Sequence, residues 1–384
     1  MKLLEKRQKI ADILFFIALT AELFFMVVEK SELPLDYISY VFRATFLIAL
    51  LSLIITRHSI KEWGVILIIL IFTFYCYRVT GRNELLRFSV FMLAAKNINL
   101  EKTMKYWFYF SAAGYLLIFL LSLPGILGSL YLETDFGRGS IERRYVFGFG
   151  HPNTICGCFL SLLLLWIWIY GKKAKLYSYA IMLLAAIGIY YLTVSRTFLA
   201  ITLITLFYAL VIRLLPKLEN CILVYALSAV ISPLVCVYFS SWAAKYSIYY
   251  WDLPNMHNPL VRRIDGYLNG RIANLYYSWE NHGATYDRWT LYSASDCEEF
   301  FDMGWVRLYY WYGIIPASII IALIVLLIYI CWKKKDLWTV VLIFSLCIYT
   351  VIEATFVSRY IGRNFMLPIM AVYMYDFFKK PDAL

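Results

Sequence analysis

The chain has 384 residues, of which 62% are hydrophobic and only 16% are charged, and its formal net charge is +11. A soluble domain of this size cannot bury so much apolar surface, which excludes an ordinary globular protein. The composition predicts an all-α, polytopic membrane protein in which residues 1–384 form a single domain.

Apolar runs of about 17 to 25 residues, the length that crosses a membrane as a helix, recur along the chain. They predict about twelve spans, at 10–28, 37–55, 63–80, 84–95, 106–124, 152–170, 176–194, 197–215, 220–240, 304–331, 337–354 and 363–378. The run at 84–95 is short and carries Arg87, which indicates burial against neighbouring helices, so eleven spans are the alternative. The only long connection, 241–303, is predicted to be one extracytoplasmic loop between spans nine and ten.

Lysine and arginine are distributed unequally among the connections. With a cytoplasmic N-terminus, the inner connections hold nineteen of the 36 Lys and Arg residues, and sixteen of these nineteen are lysine. The positive-inside rule therefore predicts a multi-pass protein of the cytoplasmic membrane with both termini in the cytoplasm.

The remaining basic residues are Lys30, Lys245 and fifteen arginines. A guanidinium group matches phosphate with two parallel hydrogen bonds, whereas an ammonium group acts as a point charge. The outer arginines therefore indicate an anionic ligand, such as a phosphate or pyrophosphate, at the outer leaflet. For any single arginine, anchoring at the membrane surface is the alternative.

The sequence lacks the motifs of nucleotide-driven transporters and of thiolate metal proteins. No segment has the G-x-x-x-x-G-K-[ST] pattern of a nucleotide cradle, and no inner connection is long enough for a catalytic domain. The eight cysteines lie almost entirely in apolar runs, which predicts packing roles and no thiolate metal site. The sequence predicts neither a cofactor nor a nucleic-acid partner.

The sixth predicted span begins with the stretch GFGHPN, residues 148–153. In the predicted topology this stretch lies outside, where a helix N-terminus presents the positive end of its dipole. Pro152 suits the first helical turn, because its missing N–H needs no partner there. The stretch predicts either an anion-binding helix end or a capped helix start with an interfacial histidine, His151.

Four stretches carry a resemblance to a known family. They are GFGHPNTICG at the start of span six, YYLTVSRTFLAITLI between spans seven and eight, YLNGRIANLYYSW in the large loop, and FFDMGWVRLYYWYGIIPASI after it. Together they resemble the Wzy-type polysaccharide repeat-unit polymerases, relatives of the O-antigen ligases, over roughly residues 80–375.

The resemblance implies a glycosyltransferase of capsule or exopolysaccharide synthesis. Such an enzyme moves a growing glycan from undecaprenyl pyrophosphate to the next lipid-linked repeat unit at the outer face of the membrane. The implied partners are the lipid-linked oligosaccharide, membrane lipid, and a chain-length regulator and flippase of the same pathway.

Transfer from a pyrophosphate builds negative charge on the leaving group, which fixed cations stabilise without a metal. Arg196 in SRT, confined between two apolar runs, and Arg271 in NGR are predicted to do this as catalytic residues. The residues predicted to bind substrate are His151, Asn153, Arg143, Arg144 and Arg263.

Two local structures are open for Arg271. In the first, it lies near the start of a helix capped by Asn269. In the second, a helix starting near Arg262 aligns Arg263, Tyr267 and Arg271 on one face by steps of four residues.

The acceptor hydroxyl must lose a proton, which calls for a base with a pKa near neutrality. Related ligases and many polymerases have a histidine just before the span that follows the large loop. This chain has EFFDMGWV there, with Asp302 in the nearest position. Asp302 and His282 in WENHGAT are therefore the two predicted bases, and a transfer with little base assistance is the third alternative.

Three further alternatives concern ligands and function. Aromatic residues of the large loop are predicted to stack on sugars or to form an interfacial belt. The acidic groups of ETD and DCEE favour a divalent cation, whereas the resemblance implies a metal-free reaction. Besides polymerisation, the candidates are ligase-like transfer to another acceptor and a lipid-linked oligosaccharide flippase, which should show mid-membrane charges and an internal repeat.

Overall fold

The computed structural model describes residues 2–35, 37–136, 139–248, 258–277, 285–295, 297 and 299–378. Helices α1–α5 span Lys2–Glu29, Ile38–Ile55, Ile60–Thr80, Glu84–Ala94 and Leu100–Ser122. Strands β1 (Tyr131–Asp135) and β2 (Ile141–Tyr145) form an antiparallel hairpin. Helices α6–α10 span Pro152–Trp166, Leu176–Thr193, Arg196–Leu214, Ile222–Ala229 and Cys236–Tyr246. Helices α11–α16 span Pro259–Leu268, Arg271–Tyr277, Gly304–Tyr312, Ile314–Lys334, Leu337–Ile352 and Leu367–Asp376.

Nine helical segments in the described part of the chain are long and apolar enough to cross a membrane. They correspond to nine of the twelve predicted spans, which confirms a polytopic helical membrane protein as the class. The other three predicted spans correspond to α4, α15 and α16, which have 11, 16 and 10 residues. These helices are shorter than the roughly 20 residues of a full crossing.

The predicted span 304–331 is interrupted. Helices α13 and α14 are separated by Gly313, whose φ of +91° lies in a region that favours glycine. The backbone N–H of Ile314 donates to Thr290 O, so part of the large loop binds the break. A Cβ atom at position 313 would lie 2.5 Å from Tyr292 Cα. Apolar periodicity carries no information on this contact with the loop.

Two spans contain π-helical turns. Ile167–Gly171 continues α6, and Val230–Val235 joins α9 to α10. Pro233 lies in the second turn, and a proline inside a helix removes one backbone hydrogen bond, which explains the widened turn. The predicted span 220–240 is consequently one helical segment, Ile222–Tyr246.

The helix ends form two groups. One group, the lysine face, is held together by the ion pairs Lys96–Glu62, Lys172–Glu219 and Lys334–Asp376. The other group, the arginine face, is held together by Arg82 with Cys297, Arg363 with Glu29, and Arg271 and Asn153 with Glu353. The separation of lysine from arginine along the chain is therefore also a separation in the fold. The assignment of the lysine face to the cytoplasm stays a prediction.

Arg87 in α4 is buried, as its position in a short apolar run predicted. Its Nη2 donates to Glu22 Oε1 of α1 over 2.6 Å, and Thr45 Oγ1 of α2 donates to the same oxygen over 2.5 Å. Arg87 Nη1 also donates to the backbone oxygen of Arg359 over 2.8 Å. This buried ion pair joins three helices to the segment that follows α15.

Candidate functional site

The start of α6 lies on the arginine face. His151 is its N-cap residue, since Nδ1 accepts from the backbone N–H of Asn153 over 3.1 Å, and Pro152 is the first helical residue. Gly148 has φ +76°, and a Cβ atom there would lie 2.7 Å from Leu127 O. The predicted capped helix start is therefore present, and glycine is required at position 148 by backbone conformation and close packing.

The His151 ring is a donor in this arrangement. Because Nδ1 accepts a hydrogen bond, the proton of the neutral ring is assigned to Nε2. Desolvation lowers the pKa of His151 below its ordinary 6.5, although the carboxylate of Asp302 opposes this shift. The positive charges of Arg144 and Arg271 lower the pKa further. At pH 7 the ring is neutral and presents an N–H, so it cannot accept a proton at Nε2 while it caps α6.

Arg271 begins α12 and has three protein acceptors. Nε donates to Ile352 O over 2.6 Å, and Nη1 donates to Leu268 O over 3.0 Å. Nη2 donates to Glu353 Oε1 over 2.5 Å. Only 6% of the side chain is exposed, and two of the five guanidinium N–H groups are left for a ligand. Arg271 thus ties the large loop to the end of α15.

The cap of this helix differs from the prediction. Asn269 has φ +59° at the end of α11, and its side chain donates to Phe136 O over 3.4 Å. Asp265 Oδ1 accepts from the backbone N–H of Ile272 over 2.6 Å instead. The left-handed residue reverses the chain and brings the last turn of α11 beside the start of α12, so the capping carboxylate comes from further back in the sequence.

The alternative alignment of Arg263, Tyr267 and Arg271 on one helix is also wrong, because α11 ends before Arg271. Arg263 is exposed on α11, and Arg196 is exposed as the first residue of α8. Neither side chain makes a hydrogen bond or an ion pair with any residue that the structure describes. Both guanidinium groups are consequently accessible to an anion from outside the protein.

Arg143 and Arg144 are adjacent in β2 and point in opposite directions, as successive strand residues do. Arg143 is exposed and donates from Nε to Glu133 Oε1 over 2.6 Å. Arg144 is buried, with its guanidinium 3.9 Å from the centre of the Phe136 ring. The Phe136 ring in turn contacts the ring of His151, with centroids 6.2 Å apart. The structure therefore brings Arg144, and not Arg143, to the start of α6.

Asp302 follows three residues whose backbone oxygens accept hydrogen bonds from side chains of the α3–α4 connection and of α13. The donors Arg82, Trp311 and Arg307 bind the backbone oxygens of Cys297, Glu299 and Phe301, in that order. Arg307 is fully buried in α13 and was not selected from the sequence. An ionisable residue within an apolar run is the signal that would have found it.

The Asp302 side chain itself is exposed. It makes no hydrogen bond with a described residue, and its charge acts on His151, Glu353 and Arg307. Asp302 is consequently close to the start of α6 and to the end of α15, which are distant in sequence.

Glu353 is the residue at which these segments meet, and the sequence did not indicate it. Its Oε1 accepts from Arg271 Nη2 and from Asn153 Nδ2, the latter over 2.9 Å. Desolvation raises the pKa of Glu353; Arg271 opposes this shift and the like charge of Asp302 adds to it. An ionisable residue at the end of an apolar run is the signal that was missed.

A second basic group adjoins Glu353. Arg363 donates to the carboxylate of Glu29, and Lys30 Nζ lies 3.7 Å from the same carboxylate. Burial lowers the pKa of Lys30, and the charge of Arg363 lowers it further. Lys30 and Arg363 line a narrow cavity together with Gly157 of α6.

His282, one of the two predicted bases, lies outside the described residues, as do Asp296 and Glu298 of DCEE. In the ETD stretch, Glu133 pairs with Arg143. Within the described ranges, no three His, Cys, Asp or Glu side chains are grouped so that they could hold a metal ion.

Comparison of this chain with protein-family models, with curated proteins and with solved structures finds no match. Function is therefore inferred from the chemistry of the arginine face. That face combines accessible guanidinium groups, a helix N-terminus with a neutral histidine donor, and two neighbouring carboxylates. Such a set of groups can hold an anion and accept a proton.

Proposed function

We propose that this chain is a Wzy-type glycosyltransferase that polymerises undecaprenyl-pyrophosphate-linked repeat units at the outer face of the cytoplasmic membrane. The observation that carries the proposal is the convergence of all four motif-bearing stretches at the arginine face. Asn153 and Arg271 share one oxygen of Glu353, and Asp302 acts electrostatically on the same carboxylate. The SRT turn adjoins them, because Cys156 Sγ donates to Thr193 Oγ1 over 3.4 Å.

The leaving group in this proposal is a pyrophosphate, whose charge grows as the bond to the sugar breaks. Arg196 and Arg263 are exposed and have no partner among the described residues, so binding an anion breaks no existing hydrogen bond. The two remaining N–H groups of Arg271 and the N-terminal end of α6 add positive potential. Preorganised cations of this kind lower the barrier without a metal or cofactor.

Substrate orientation is assigned to the residues around His151. Its Nε2–H is a donor for a sugar or phosphate oxygen. Near it, Arg144 is held against the Phe136 ring and Asn153 is held by Glu353. Arg143 lies on the outer side of the hairpin, where it is placed to contact the distal part of a glycan. Asp302 and His282 remain the bases that the sequence predicts.

The two faces of the protein support the topology that this function needs. The lysine face is assigned to the cytoplasm, and the arginine face to the side where lipid-linked repeat units arrive after flipping. A chain-length regulator and a flippase of the same pathway are the expected protein partners.

The proposal is tested with purified protein and lipid-linked repeat units extracted from cells that lack it. A ladder of products with increasing repeat number supports polymerisation. A single transfer to a different acceptor indicates a ligase-like enzyme, which would use the same site. Transbilayer movement of the substrate in proteoliposomes, with no glycan transfer, would identify a flippase and contradict the proposal.

A further inference from the structure

Resting on the proposed function, we propose that Glu353 is the general base of the transfer and accepts the proton of the acceptor hydroxyl at Oε2. No motif pointed to this residue, and its case depends on contacts between segments that are distant in sequence. Asn153 lies 200 positions before it and Arg271 lies 82 positions before it.

The two oxygens of Glu353 have different surroundings. Oε1 accepts from both Arg271 and Asn153, which fixes the plane and direction of the carboxylate. Oε2 receives no hydrogen bond from any residue that the structure describes, and 17% of the side chain is exposed. One oxygen therefore holds the group in place while the other is left to contact a substrate.

The electrostatic surroundings make Glu353 a stronger base than an ordinary glutamate. Burial raises the pKa of Glu353 above the ordinary 4.5, and the like charge of Asp302 adds to this shift, while Arg271 limits it. Two neighbouring carboxylates with unequal environments are the usual arrangement in which one acts as the base. His151 is less suited, because its Nδ1 is occupied as the cap of α6.

The acceptor oxygen forms a bond to the anomeric carbon of the donor sugar as the bond from that carbon to the pyrophosphate oxygen breaks. The electron pair of the broken bond leaves with the pyrophosphate, whose charge the arginines stabilise. The hydroxyl proton moves to Glu353 Oε2 and is released to water at the exposed side, next to Asp302.

Glu353→Gln is the first test, because glutamine keeps an oxygen that can accept from Arg271 and Asn153 but cannot accept the proton. We expect the rate of transfer to fall by about 100-fold or more, the range for loss of a general base, with little change in KM for the lipid-linked donor. The matched control is Glu101→Gln, a carboxamide replacement of an exposed residue on the lysine face, which should transfer at the wild-type rate.

The dependence of the rate on pH separates a base from a structural residue. In the wild type the rate of transfer should rise with pH as Glu353 loses its proton. Because the pKa of Glu353 is raised, this rising limb of the pH profile lies above pH 4.5. Glu353→Gln should lack the limb, and Glu353→Asp should retain it at a lower rate. Asp302→Asn should move the limb to lower pH, because a like charge that raises the pKa of Glu353 is removed.

Three outcomes decide the inference. Wild-type transfer by a folded Glu353→Gln variant, with the limb intact, overturns it. A severe loss in Asp302→Asn or His282→Gln, with an active Glu353→Gln, assigns the base to one of those residues instead. Absence of any transfer by the wild-type protein on lipid-linked repeat units rejects the proposed function, and with it this role of Glu353.

Discussion

Arg271 and Glu353 form an ion pair with Nη2 and Oε1 2.5 Å apart, and Asn153 donates to the same oxygen. The pair joins the first turn of α12, in the large loop, to the residue that directly follows α15. Because the side chains of both residues are largely buried, replacing either of them by an apolar residue leaves a buried charge without its partner, which is strongly destabilising. The large loop is therefore bound to the membrane-embedded helices at the place where the sequence motifs meet.

Arg271→Lys should lower both stability and the rate of transfer. A single ammonium group cannot reach Ile352 O, Leu268 O and Glu353 together, and each lost charged hydrogen bond contributes about 1.5–3 kcal/mol. We expect a lower thermal unfolding midpoint in detergent and at least a tenfold loss of rate. Arg213→Lys, on the lysine face, is the control and should resemble the wild type. A fully stable and active Arg271→Lys variant would contradict this role.

Arg196→Lys should separate activity from stability. Arg196 is exposed and has no partner in the described part of the chain, so its replacement removes no internal hydrogen bond. We expect an unchanged unfolding midpoint and a loss of most transfer activity, because lysine cannot reproduce the paired hydrogen bonds to a phosphate. If the variant transfers at the wild-type rate at normal protein levels, Arg196 is a membrane anchor.

Local signals explain what could be predicted from the sequence. The start of α6 at Pro152 is encoded by adjacent residues, since proline is favoured in the first turn of a helix and Gly148 has a positive φ. The burial of Arg87 followed from its place in a short apolar run. The separation of lysine from arginine followed from their positions in the sequence, because successive connections between membrane-spanning helices lie at opposite ends of the helices.

Contacts between distant segments explain what could not be predicted. Glu353 looks like an ordinary residue at the end of an apolar run until Arg271 and Asn153 are brought to it. The cap of α12 by Asp265 depends on the reversal at Asn269, which the pattern of apolar residues does not show. These features are set by tertiary packing, which periodicity and spacing do not describe.

Gly313→Ala should prevent correct folding of the region where the large loop returns to the membrane. The new Cβ atom would lie 2.5 Å from Tyr292 Cα, and the φ of +91° is strained for alanine. We expect little monodisperse protein after detergent extraction, measured by size-exclusion chromatography. Gly188→Ala on α7 is the control, because nothing lies within 4 Å of its added Cβ. Equal yields from both variants would contradict the assigned break.

Labelling of introduced cysteines should establish the topology. Lys172 and Arg288 are both exposed on the protein, so only the membrane should restrict the access of a thiol reagent. In a background without the native cysteines, an impermeant reagent should label Arg288→Cys in intact cells and should label Lys172→Cys only after lysis. The reverse pattern would place the lysine face outside and reject the proposed location of the site.

His151 should act as a donor and helix cap, and Gln should replace it better than Ala. Glutamine can still accept from the backbone N–H of Asn153 and donate to a ligand, whereas alanine removes both and costs about 0.5–2 kcal/mol of capping. We therefore expect His151→Gln to transfer at least tenfold faster than His151→Ala.

The loss of stability at low pH gives an independent measure of the role of His151 as the cap of α6. The pKa of His151 is lower in the folded protein than in the unfolded chain, so the unfolded chain binds the proton more tightly. The stability that the neutral ring contributes at pH 7 is therefore lost as the pH falls below 6.5. Unfolding midpoints between pH 7.5 and 5 should show a steeper loss in the wild type than in His151→Gln, which has no titrating group at this position. Near-complete and equal loss of transfer in His151→Gln and His151→Ala, with Glu353→Gln fully active, would instead make His151 the base.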